Sequence, residues 1–261
     1  MVLYSHSKLS TFEQCKLKYK LKYIDKIKPD FEATIEAHLG KCVHDSLEWL
    51  YENILKNKIP DLNSLIEHYT NKWQENYRET FKVVKEEFEP VHYFNKGVRF
   101  LVDYYTKHQP FQDGTLELEK KIILKLHKKL PYKIIGYIDR LSYNKEKNTY
   151  EIHDYKTGNF LPNQEKFDTD RQLALYGLAI KNSFGKDKNI LLVWHYLDHN
   201  QKITSYRTEQ EYEQLRQDTI KLIFEVEQTK HFYPQTSSLC SWCEFKSKCS
   251  SWNKNQVSNF V

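Results

Sequence analysis

The order of hydrophobic patterns along the chain predicts an α/β fold. The expected architecture is a central mixed β-sheet flanked by helices, with an N-terminal helical elaboration and a C-terminal cysteine cluster. Three observations carry this expectation. Helical periodicity fills about the first 110 residues; three strand-like segments joined by short turns follow Gly114; and a helix, an apolar strand, a short strand and a last helix complete the pattern before a cysteine-rich tail. The 261 residues suffice for a substantial core, and 39% hydrophobic residues with only 7 Gly and 7 Pro exclude a collagen-like, linker-like or disordered chain.

The elements follow in order. Ser10-Thr11-Phe12-Glu13 reads as a helix opening, a capping hydroxyl with a Glu three residues on. Val43, Leu47, Leu50 and Ile54 recur at helical spacing and predict a helix from Gly40 to about Leu55. Pro60 suits another helix start, and a periodic segment from Val91 to Tyr105 stops before Pro110, so residues 60–110 form a helical insert. LELEKKIILKL, YKIIGYIDRLSY and TYEIHDYKTG read as strands, with turns at Lys129–Pro131 and Asn144–Asn148; such short connections imply antiparallel neighbours. A helix from about Asp170 to Lys181 then leads by a crossover to the strand NILLVWHYL. KITSYR is a further strand, and Glu209 to about Lys230 a final helix. The whole chain, 1–261, reads as one domain.

Lys and Arg exceed Asp and Glu by 40 − 35 = 5, a balance compatible with nucleic acid that does not by itself point to it. No apolar run approaches the ~20 residues of a membrane span, and MVLYSHSKLSTFEQCK lacks the apolar core of a signal peptide. The expected location is the cytoplasm, where thiols stay reduced and cysteines serve more often as ligands than as disulfides.

The most informative stretch is GYIDRLSYNKEKNTYEIHDYKTG. Asp154 and Lys156 lie two residues apart on a strand and so share a face. Asp139 sits near the end of the preceding strand, which a hairpin places alongside. Two converging carboxylates form a hard-oxygen site for Mg²⁺ or Mn²⁺, and a neighbouring ammonium can stabilise charge that develops on a phosphate. Asp-x-Lys is a common tripeptide, and by itself it reads first as a surface ion pair on a strand. His44, at the end of Gly40-Lys41-Cys42-Val43-His44 and read as near a helix start, offers an imidazole ligand that shifts preference toward Mn²⁺. Glu119 in the first strand can face the same site. Gln172 and Tyr176, one helical turn apart, can line one cleft and touch a phosphate or base. Lys16, Lys18, Lys20, Lys22, Lys26 and Lys28 interleave with Tyr19 and Tyr23; Lys18 and Lys22 share a helix face that suits a nucleic-acid strand or plain solvent.

Cys240-x2-Cys243-x5-Cys249 sits in the tail and Cys15 near the start. Four thiolates can hold zinc or an iron–sulfur cluster; three close cysteines with one distant fourth favour a cluster that ties the chain ends together.

With these residues assembled, the chain resembles the RecB-like branch of the PD-(D/E)XK nuclease superfamily. It is most similar to its iron–sulfur members, such as the AddB nuclease domain and the CRISPR-associated spacer-acquisition nucleases. The resemblance rests on six motifs in one order: Leu9-Ser10 through Cys15, Gly40-x-x-x-His44, Gly136-Tyr137-Ile138-Asp139-Arg140, Asp154-Tyr155-Lys156-Thr157-Gly158, Gln172-x-x-x-Tyr176, and the Cys240–Cys249 tail. Lys16 departs from the proline that often follows the first cysteine. The resemblance implies a restriction-endonuclease-like fold and a metal-dependent DNA nuclease, a single-strand exonuclease in DNA repair, recombination or CRISPR adaptation. It implies that His44, Asp139 and Asp154 bind Mg²⁺ or Mn²⁺ with the backbone carbonyl of Tyr155, that Lys156 is catalytic, and that Gln172 and Tyr176 lie near DNA. It also implies a 4Fe-4S cluster on Cys15, Cys240, Cys243 and Cys249. The chain has no G-x-x-x-x-G-K-[ST] loop, so unwinding would fall to a helicase or CRISPR adaptation partner. The alternative is a DNA-binding or assembly subunit that keeps the fold without cutting.

Overall fold

The computed structural model describes residues 2–185 and 187–252. Strand β1 (Val2–Ser5) runs directly into α1 (His6–Gln14), because the Ser5 side chain accepts from Lys8 N and caps the helix. Ser10, expected to open this helix, therefore lies inside it. Helix α2 (Lys16–Tyr19) continues as a π-helical turn over Lys20–Ile24. Helix α3 (Ile35–Leu55) is capped by Thr34 and starts a full turn before Gly40, so His44 sits well inside a helix and not near its start. The apolar stripe explains the earlier start, since Ile35 and Leu39 extend the buried series that Val43 and Leu47 continue. Helices α4 (Leu62–Asn76) and α5 (Pro90–His108) make up the insert. The remaining elements are β2 (Thr115–Lys125), β3 (Tyr132–Asn144), β4 (Thr149–Lys156), α6 (Gln164–Asp168), α7 (Arg171–Phe184), β5 (Asn189–Tyr196), β6 (Gln201–Ser205) and α8 (Glu209–Gln228). A capping box between Thr208 and Glu211 starts α8.

The six strands form one mixed sheet in the order β1-β3-β4-β5-β6, with β2 also paired to β3. Along one edge of β3, β2 runs antiparallel from Thr115↔Ser142 to Lys125↔Lys133. The other edge is shared. β1 pairs parallel with Tyr132–Ile135, and β4 pairs antiparallel with Arg140–Asn144. Between them, residues 136–139 face a fork in the sheet. Neither β1 nor its parallel pairing is visible in the sequence pattern, because four residues are too few to show alternation.

Helices cover both faces. On one side α1, α7 and α8 pack over Ile122, Leu124, Ile134, Ile138, Ile152 and Trp194. On the other, α3, α4 and α5 form a second core that reaches the sheet through Tyr155 and Leu197. Strand β5 is buried on both faces, which accounts for its uninterrupted apolar run. The β2 register shifts between Thr115 and Glu117, and the face that packs changes again beside the fork. Ile122 and Leu124 belong to the first core, yet Leu118, of the same parity, packs on the second. Glu119 lies between them with φ 42°, and that left-handed residue turns the strand over.

Candidate active site

The fork brings the middle of β3, where Asp139 stands and not near the strand's end as expected, to one point with the end of β4 and the middle of α3. The flanking pair Arg140↔His153 would next set Asp139 opposite Asp154, but the ladder stops there. Instead the Asp139 Oδ2 accepts from the Tyr155 N–H at 2.9 Å, so a side chain replaces a backbone carbonyl. This leaves the Tyr155 carbonyl free to face α3, where His44 Nε2 donates to it at 2.8 Å. His44 Nδ1 lies 3.3 Å from the same Asp139 Oδ2. One imidazole, one carboxylate and one carbonyl thus meet at a single locus.

Glycine makes the approach possible. A Cβ at Gly40 would stand 3.2 Å from Thr157 Oγ1, so the bare backbone at 40 lets the end of β4 close on α3 one turn before His44. At Gly136 a Cβ would meet Tyr176 Cε1 at 2.2 Å. The glycine of one motif and the tyrosine of another are therefore one packing unit.

Asp154 and Lys156 project from the same face of β4 toward α7, as their spacing predicts. Lys156 Nζ lies 2.7 Å from Asp154 Oδ2. Gln172 closes the group: its Nε2 donates to Asp154 Oδ1 and its Oε1 accepts from Lys156 Nζ, each at 3.3 Å. Asp154 is 5% exposed. Burial pulls the Lys156 ammonium down, but Asp154 and Asp139 more than offset it and hold it above its ordinary range. Tyr176 is 7% exposed, packed under the fork and not open to an incoming strand.

Glu119 joins the site from β2, where Leu118↔Arg140 and Lys120↔Ile138 set it opposite Asp139. Ligand atoms of His44, Glu119 and Asp139 all lie within 4.8 Å of one another. Burial and then Asp154 push the Asp139 carboxyl up to about 6. Glu119 is exposed as a residue, yet lost solvent at its carboxyl and then Asp139 and Glu48 push it up to about 7. In both carboxyls burial is the larger cause and a neighbouring carboxylate the next.

A residue behind the site holds it in shape. Arg140 is 1% exposed. Its guanidinium donates to the Tyr155 hydroxyl at 3.0 Å, to Asp113 Oδ2 at 2.5 Å and to His153 Nδ1 at 3.1 Å. Tyr155 is thereby fixed through its side chain while its carbonyl faces His44. The motif contained Arg140, but this role becomes visible only once the strands are paired.

The basic segment lies elsewhere. Lys18 and Lys22 pair with Glu244 at 2.7 and 2.9 Å, beside Cys243. Lys16 pairs with Glu225, and Lys20 with Asp25. Lys18 and Lys22 thus bind the start of the chain to its tail, an arrangement neither a strand-binding face nor a solvated face anticipates. Cys15, Cys240, Cys243 and Cys249 line one cavity. Backbone N–H groups of Lys18 and Gln235 approach Cys15 Sγ at 3.5 Å, and that of Ser237 approaches Cys240 Sγ at 3.3 Å. Cys42 stays in the second core, where burial pushes its thiol up to about 12.

Among the described residues, no helix is long and apolar enough to cross a membrane. Residues 4–250 match the family model of the PD-(D/E)XK nuclease superfamily. No curated protein matches the chain. Among solved structures, a protein from Eubacterium rectale provisionally named an exonuclease is 11% identical, with a TM-score of 0.48 over 95% of this chain and 86% of that one. The structure of SSO0001 is 17% identical, with a TM-score of 0.36 over 94% of this chain and 95% of that one.

Proposed function

The chain belongs to the PD-(D/E)XK nuclease superfamily, and on that premise we propose that it is a metal-dependent DNA nuclease of the RecB-like, iron–sulfur branch. It acts as an exonuclease on single-stranded ends, in DNA repair, recombination or CRISPR adaptation. One observation carries the reading: His44, Asp139 and the Tyr155 carbonyl touch at the fork, and the Asp154–Lys156 pair flanks that carbonyl on the same strand.

The donor set fits a divalent cation. His44, Asp139, Asp154 and the Tyr155 carbonyl would hold it, with Glu119 at hand, and the mixed nitrogen and oxygen donors accommodate Mn²⁺ as well as Mg²⁺. A bound cation supplies Lewis-acid polarisation of the phosphate and a more acidic water. Lys156, kept charged by Asp154, stabilises negative charge on the phosphate oxygens as the bond breaks. Gln172 fixes both partners of that pair in one geometry, and Arg140 fixes Tyr155.

The cysteine cavity supports a 4Fe-4S cluster over zinc. Three close cysteines joined by a distant fourth favour a cluster that ties the two ends of the chain together. Sulfurs spread around a cavity and approached by backbone N–H groups suit a larger anionic cluster.

The test is cleavage of end-labelled single- and double-stranded DNA with Mg²⁺ or Mn²⁺, using anaerobically prepared protein beside Lys156→Ala. The expected result is a ladder from one end of the single strand, absent in the variant and on circular single strands. No cleavage by cluster-loaded wild type would overturn the reading and leave a DNA-binding subunit.

A further inference from the structure

The helices of the second core cover the sheet only as far as the fork. On the sheet side that core includes Leu118, Tyr155 and Leu197, but no apolar residue of β3 and none of β2 after Leu118. Beyond the fork, Ile122, Leu124, Ile134 and Ile138 turn into the first core. Alternation sends the residues between them to the opposite face. There the β2–β3 ladder sets three rows: Lys121 opposite Tyr137, Ile123 opposite Ile135, and Lys125 opposite Lys133, with Leu3 of β1 beside Lys133. Tyr137, Ile123 and Leu3 are 50%, 56% and 47% exposed. Single apolar side chains scattered over a surface need no explanation, but these stand on consecutive rows of one open face.

The face has a definite charge. Its three rows hold no carboxylate, and none of Lys121, Lys125 and Lys133 forms an ion pair among the described residues. Lys125 faces Lys133 directly across the ladder, a like-charge pairing that destabilises a sheet and that an anion would relieve. The face also adjoins the candidate site. Tyr137 and Asp139 are two residues apart on β3, and Lys121 and Glu119 two apart on β2, about 7 Å along each strand. Asp139 meets His44 on the side away from the first core, the side to which Tyr137 also turns.

We propose that this open face carries a single nucleic-acid strand to the site, with an unpaired base stacked on the Tyr137 ring and phosphates held by Lys121, Lys125 and Lys133. Aromatic stacking beside a cationic track is the usual means of holding a single strand. A duplex fits poorly, because its outer surface is phosphate and the Ile123–Ile135 row has nothing to offer it. A second copy of the chain packed face to face would set six lysines against one another. Lysines alone would serve to protect an open sheet from aggregation, but protection does not call for an exposed tyrosine next to the metal-site carboxylate. The inference takes nucleic acid as the ligand from the nuclease reading of the neighbouring site.

The test measures binding of labelled oligo-dT, and of a duplex of equal length, to the full, anaerobically prepared chain by fluorescence anisotropy, with EDTA present and over a range of salt. Tyr137→Ala should weaken oligo-dT binding about tenfold, the scale of one lost base–aromatic stack, and Tyr137→Phe should bind as wild type does. Lys121→Ala, Lys125→Ala and Lys133→Ala combined should reduce the slope of log affinity against log salt by about 2, at about 0.7 for each lost phosphate contact. Duplex binding should change little in either variant, and thermal melting checks that both fold. Wild-type affinity and salt slope in both variants overturn the inference, as does a dimer in sedimentation that Tyr137→Ala dissociates. The cleavage comparison of wild type with Lys156→Ala is run alongside. Lys156-dependent cleavage with an indifferent sheet face defeats this inference alone. Tyr137-dependent binding without cleavage sustains it and defeats the nuclease reading, and neither binding nor cleavage of any single strand defeats both.

Discussion

The ring of Tyr176 occupies the space that a side chain on Gly136 would need: a Cβ there would lie 2.2 Å from Tyr176 Cε1. The residues belong to separate motifs on β3 and α7, and the ring supports the strand at the mouth of the fork. Gly136→Ala is expected to destabilise the protein by about 1–3 kcal/mol, the usual cost of overpacking. Adding Tyr176→Ala should recover part of that loss. Chemical denaturation of the two single variants and the double variant measures the coupling; strictly additive losses would mean the contact is not made.

Gly40→Ala should separate stability from activity. Alanine in a helix interior gains up to about 1 kcal/mol over glycine, but the new methyl sits 3.2 Å from Thr157 Oγ1 and pushes the end of β4 away from α3. We expect thermal stability unchanged or raised and cleavage lowered, because the Tyr155 carbonyl retreats from His44. Cleavage at the wild-type rate would show that the close approach is not needed.

Acid should unfold the protein through two buried histidines. Burial first, and then Arg140, hold His153 and His195 well below their ordinary range. Below about pH 6.5 the unfolded chain takes up protons that the folded chain refuses, so stability falls as pH drops, by up to about 1.4 kcal/mol per pH unit for each ring. Asp139 acts in the opposite sense. Its folded value is raised to about 6, so its contribution is full below the ordinary carboxyl range and is lost as pH rises through about 6. In metal-free protein Asp139→Asn should therefore steepen the acid loss between pH 7 and 5, read by urea denaturation at each pH.

Cys15→Ser should lower iron and acid-labile sulfide together and loosen both ends of the chain, since Cys15 shares its cavity with the three tail cysteines. Glu244→Ala should loosen the ends with less loss of iron, because it removes only the partner of Lys18 and Lys22. Limited proteolysis beside metal analysis distinguishes them. Zinc at one per chain with no iron in wild type would defeat the cluster reading.

The strand meander, the crossover and the last helix were legible because their periodicity is local. The shared face of Asp154 and Lys156 was legible because strand alternation determines it, whereas Asp139 meets Tyr155 and His44 only because the ladder gives way at the fork. His44 was found by its motif but misplaced along its helix, since the buried series begins earlier at Ile35. The pairing of Lys18 and Lys22 with Glu244 spans more than two hundred residues and leaves no local trace. The left-handed turn at Glu119 and the bracing of Tyr155 by Arg140 depend on neighbours that only the folded sheet supplies.

The shared edge of β3 acts as a ruler. β1 ends its pairing at Ile135 and β4 begins at Arg140, and the opening between them is whatever length of edge the two strands leave uncovered. Two more paired residues on β1 would cover half of that opening, and two fewer would widen it by as much. A strand that supplies none of the candidate site residues thus sets how much of the β3 edge stays unpaired beside Asp139, and insertions or deletions before His6 should be tolerated far less than the exposed position of that segment suggests.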